Sequence, residues 1–189
     1  MFDNPQQLKS IYTIGYYSGL ISTVVGCLAI YIKTQCTPKE LLGRRYNHYY
    51  QEEISSFISY LMVVLVYLAN NAVMYFSEGL HTAIDHWATS AFIVYMFKVL
   101  FELLLVVGIV ISHKKSSIQH SLLTRIICLG SIFLAFWHFL RAFDYIVFET
   151  RLLDNCYSMV VVAVTVVVSG FMVAYAFLYA KTKAKEKYA

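Results

Sequence analysis

Charge and proline are both scarce in this chain. Charged residues make up only 14% of it, against roughly a quarter in a soluble domain. Hydrophobic residues supply 59%, a balance that excludes an ordinary water-soluble globule. There are 2 prolines, Pro5 and Pro38, and both fall outside the long apolar runs. Unbroken helices and the lack of an internal repeat argue against a stand-alone alternating-access transporter. Such proteins bind substrate at helices interrupted by Gly or Pro in repeat-related halves. The cysteines, Cys27, Cys36, Cys128 and Cys156, form no CxxC pair. Small packing residues are expected there, not a disulfide framework or a thiolate metal site. A glycine-rich phosphate loop, a nucleophile elbow and a low-complexity linker are also missing, so an enzyme is not the expected class.

What is present is apolar sequence in long runs. A bilayer core about 30 Å thick needs roughly 20 apolar residues per helix. Runs at about 11–33, 54–76, 88–112, 126–148 and 157–180 satisfy this. They use most of the chain, and residues 1–189 are expected to form a single all-α, polytopic transmembrane bundle of five helices. A transmembrane barrel would need alternating segments of about ten residues, which these uniformly apolar runs exclude.

Basic residues in short loops set the orientation. The first connection holds Lys39, Arg44 and Arg45, the third holds Lys114, Lys115 and Arg125, and the carboxyl-terminal tail holds Lys181, Lys183, Lys185 and Lys187. The connections between them hold only Arg151, and Lys9 is the one basic residue before the first span. The amino terminus is therefore expected outside and the carboxyl terminus in the cytosol. Asp3, with no basic cluster ahead of the first apolar run, argues against a cleaved signal peptide. The stretch Asn4-Pro5-Gln6-Gln7 reads as a helix start with Asn4 as cap, and Thr37-Pro38-Lys39-Glu40 repeats that logic in a short helix that Gly43 stops. Short loops and the signal-free start suggest a bacterial inner (plasma) membrane. Arg44, Arg45, Tyr46, Tyr49 and Tyr50 mix basic and aromatic residues beside a span. That suits the headgroup layer and membrane lipids; nucleic acid is not an expected partner.

Gly15, Ser18, Gly19, Ser22 and Gly26 recur at spacings of three and four in the first span, a small-residue face suited to close helix packing. The valine-rich fifth span is expected against lipid or another greasy surface. The spans also carry ionisable groups. Lys98 and Glu102 share a face of the third, while His138, Arg141 and Asp144 form a stripe on the fourth. At 1.5 Å per residue, Lys98 and His138 both lie roughly 15 Å below the outer edge, and Asn70 and Asn71 on the second span come at a similar outer-leaflet depth. Each charge at a helix centre costs about 2.5–3.5 kcal/mol on insertion scales. An intramembrane polar network is therefore expected, with Asp144 on Arg141 and Glu102 on Lys98 or His138. No span offers His138 a second histidine at matching depth, so haem is not expected. His81, Asp85 and His86 are weak zinc candidates in an outer loop, and Asp85 reads equally well as a helix cap; no metal or other cofactor is expected beyond lipid contacts. His113 and His120, flanking Lys114 and Lys115, read as solvated loop residues.

The resulting expectation is a non-catalytic integral membrane subunit that assembles with itself or with partner proteins through the charged network and the small-residue faces. The alternative is an oligomeric ion or proton channel, with Glu102, His138 and Asp144 lining a path through the third and fourth spans. A lipid-acting enzyme built on His81, Asp85 and His86 ranks below both.

Overall fold

A computed structural model describes residues 5–43, 49–83, 87–147 and 153–188. Its elements are α1 (Pro5–Thr34), α2 (Pro38–Leu41), α3 (Gln51–Ala83), α4 (Trp87–Ser116), α5 (Leu122–Ile146) and α6 (Asp154–Tyr188). All of them are helical, and 5 are long and apolar enough to cross a membrane. The chain is accordingly an integral membrane protein. Large apolar side chains such as Ile21, Leu65, Leu104, Leu129 and Phe177 stand exposed around it, as expected of helices bathed in lipid.

The long helices close into a ring. α1 packs between α3 and α6, α4 between α3 and α5, and α6 against α5, while α3 also touches α5 across the middle. The helices outrun the apolar runs because backbone hydrogen bonding continues past the point where hydropathy falls. Thus α1 starts at Pro5, ahead of the apolar run expected from about residue 11; the cap residue Asn4 lies outside the described residues.

Local chemistry sets the turns. Thr37 and Glu40 form a capping box at α2, in which the Glu40 carboxylate accepts from the Thr37 hydroxyl at 2.7 Å and from its N–H at 2.8 Å. Those two bonds hold the Glu40 carboxyl below the usual range for glutamate. α4 ends with Ser117 at φ 52°. The Ile118 N–H then reaches back to the His113 carbonyl at 3.1 Å and the Ser117 N–H to Lys114 at 3.3 Å, the pairing of a Schellman motif. α5 opens with the Ser121 hydroxyl accepting from Thr124 N at 3.1 Å. These caps fix the α4–α5 turn against α3.

Candidate functional site

The stripe on α5 meets aromatic groups from both neighbouring helices. His138, Arg141 and Asp144 are 4%, 3% and 3% exposed, so a polar atom left without a partner there is costly. Arg141 Nη1 donates to Asp144 Oδ2 at 2.8 Å and Nη2 to the Tyr145 hydroxyl at 2.5 Å. The guanidinium carbon lies 4.3 Å from the ring centroid of Tyr145, 5.7 Å from Tyr157 and 6.0 Å from Tyr95. Three tyrosines from α4, α5 and α6 thus surround one cation, where desolvated cation–π contacts are strongest. Tyr95 stacks on Tyr145 at 5.7 Å and meets Tyr157 edge-on at 5.2 Å, and Lys98 Nζ lies 5.2 Å from the Tyr95 ring centroid.

The cage also closes the α5–α6 turn. Asp144 Oδ2 accepts from Leu153 N at 3.2 Å, Trp137 Nε1 donates to the Tyr157 carbonyl at 3.3 Å, and His138 Nδ1 lies 2.5 Å from the Tyr157 hydroxyl. One residue pair therefore serves twice: Asp144 neutralises Arg141 and caps the chain entering α6. The Arg141–Asp144 pairing agrees with the sequence expectation. His138, one of the partners expected for Glu102, instead lies against the Tyr157 hydroxyl, and Glu102 itself is buried on α4. On α3, Asn71 Nδ2 donates to the Tyr16 hydroxyl at 2.5 Å, and the buried Asn70 Oδ1 has no hydrogen-bond partner among the described residues.

A second polar cluster, not foreseen from the sequence, fills the opposite end of α3, α4 and α5. His113 is 1% exposed, which corrects its reading as a solvated loop residue. Its Nδ1 faces the Ile109 carbonyl at 2.7 Å, so that nitrogen carries the proton and Nε2 accepts from Ser55 Oγ at 2.7 Å. Ser55 also contacts Thr124 Oγ1 at 2.7 Å and accepts from Ser121 N at 2.9 Å. Ser59 meets Thr124 at 2.9 Å and Ser56 meets the Tyr179 hydroxyl at 2.8 Å. His120 is half-buried with its ring edge-on to His113 at 4.4 Å. Nearby, Lys33 pairs with Glu53 and lies over the Tyr179 ring, joining α1, α3 and α6. The available signal was three serines, Ser55, Ser56 and Ser59, on one turn at the start of an apolar run, since hydroxyls commonly bond across helices in a membrane.

The small-residue face of α1 is engaged within the chain. A Cβ on Gly26 would collide with the Tyr60 ring of α3, one on Gly19 with Tyr67, and one on Gly15 would meet Val162 of α6 at 3.5 Å. Ser18 Oγ lies 3.4 Å from Ser169 Oγ of α6, and Ser22 is buried. Among the interfacial group, Tyr49 is 81% exposed and Tyr50 packs against the apolar core; Arg44, Arg45 and Tyr46 lie outside the described residues. So do Asp85, His86 and the side chain of His81. Comparison with protein-family models, curated proteins and solved structures finds no match for this chain.

Proposed function

We propose that this protein is a non-catalytic membrane subunit, forming one five-helix unit over residues 1–189 with its amino terminus outside and its carboxyl terminus in the cytosol. The observation that carries the reading is where the polar groups spend their bonds. Arg141, Asp144 and His138 are committed to side chains of the same bundle, and so is the Ser55–His113–Thr124 cluster. Between the two clusters lie the buried Leu105, Ile109 and Ile127. That apolar layer on α4 and α5 supports a locking role for the charges over a conducting one, because an ion path needs polar groups or water along its length. Contacts with other subunits, or with a second copy, then fall to the exposed apolar faces and the helix ends. The basic α4–α5 turn and carboxyl-terminal tail support the orientation through their excess of Lys and Arg. The loops fit a plasma membrane of bacterial type.

The test combines Glu102→Gln with His138→Ala. Assembly and expression are expected to fall together with any activity of the complex. Normal assembly with altered proton or ion flux across reconstituted vesicles would overturn the reading in favour of a channel.

A further inference from the structure

A cavity of about 380 Å³ opens at the end of the bundle where α3 and α5 both begin, lined by Gln51, Glu52, Gln119, His120, Ser121 and Arg125. Its volume falls within the range of about 300–1,000 Å³ typical of small-molecule sites. Glu52 and Arg125 are exposed and, among the described residues, form no ion pair with each other or elsewhere. Opposite charges thus share one cavity without neutralising one another, beside two amides and an imidazole. The apolar spans Gln51–Val73 and Leu122–Ile146 both start here, which sets the cavity at headgroup depth. Leu122, also in the lining, is 60% exposed, and Leu129 two turns further along α5 is 66% exposed.

We propose that this cavity binds a phosphoethanolamine group, the headgroup of an amine-bearing phospholipid. Arg125 takes the phosphate through its forked N–H donors, and His120 and the two glutamine amides add donors to the remaining phosphate oxygens. Glu52 accepts from the primary ammonium. The exposed Leu122–Leu129 face of α5 carries the acyl chains. A trimethylated amine fits the charges but offers Glu52 no N–H, and an anionic headgroup without an amine leaves Glu52 facing like charge. The cavity therefore selects a zwitterion with a free amine. This assignment requires membrane insertion alone and is independent of the subunit reading above.

The full chain in detergent is incubated with phosphatidylethanolamine or phosphatidylcholine of identical acyl chains, and retained lipid per protein is measured by native mass spectrometry. One charge-assisted hydrogen bond corresponds to about tenfold in affinity, so wild-type protein is expected to prefer the ethanolamine lipid by about that factor. Glu52→Gln is expected to remove the preference, and Arg125→Gln to weaken retention of both lipids. Competition by free O-phosphoethanolamine would assign the site to a soluble phosphomonoester; failure to compete assigns it to the lipid. Equal retention of the two lipids by the wild-type protein, or a preference that survives Glu52→Gln, overturns the proposal. The wild-type comparison needs no variant to fold.

Discussion

Replacing Asp144 by Asn tests whether the caged ion pair locks α5 to α6. The substitution keeps the shape and leaves an oxygen for the Leu153 N–H, but it removes the charge facing Arg141. Both side chains are 4% exposed, so water cannot take over that role. Breaking a buried pair from one side costs about 3–5 kcal/mol, because the remaining ion stays buried without its counter-charge. For a chain of this length a kcal/mol shifts Tm by about 2–4 °C, giving a fall of about 6–20 °C. The double variant Arg141→Met with Asp144→Asn removes the stranded cation, fills the tyrosine cage with an apolar side chain and still caps Leu153. It should recover about 2–3 kcal/mol of the loss, since replacing a whole buried pair is often close to neutral. Unfolding in mixed micelles titrated with SDS, followed by circular dichroism, measures both. A single variant within about 1 kcal/mol of wild type, or a double variant no better than the single, would refute the reasoning.

Four further outcomes follow from packing and capping. Gly26→Ala should destabilise by about 1–3 kcal/mol, because Tyr60 is fully buried and its hydroxyl donates to the Met172 carbonyl at 3.2 Å. Gly15→Ala, which meets Val162 at ordinary contact distance, should be neutral or slightly stabilising in the same SDS titration. His113→Ala should cost about 1–3 kcal/mol by stripping a buried partner from Ser55, while His120→Ala costs less; equal effects would contradict the burial of His113. The Glu40 carboxyl is held low by Thr37, so the capping box contributes fully above the unfolded-chain value of about 4.3. That contribution is lost as pH falls through the lower folded value. Carboxyl NMR titration should show Glu40 below the usual range, and Thr37→Ala should return it there.

The five spans were legible because each keeps a hydrophobic surface all round for more than twenty residues, a signal that no local contact reverses. The Arg141–Asp144 pair was legible too, since a spacing of three on one helix brings opposite charges together whatever surrounds them. The cage was not. Tyr95, Tyr145 and Tyr157 sit near helix ends, where tyrosine commonly marks the interface, and only the packing of α4, α5 and α6 turns them onto one guanidinium. His113 was misread because its neighbours Lys114 and Lys115 are solvated, while its own imidazole bonds Ser55 Oγ inside the bundle. The glycines of α1 gave the right kind of surface but not its partners, Tyr60, Tyr67 and Val162, which belong to distant parts of the chain.

The most direct test of the subunit reading is the mass and composition of the complex extracted in mild detergent from native membranes. Co-purifying membrane proteins in fixed ratio, or a defined multimer that carries no flux when reconstituted, is the result predicted for an assembly subunit whose charges lock its own helices. A homogeneous oligomer that conducts protons or ions across vesicles, with flux altered by Glu102→Gln, would contradict it.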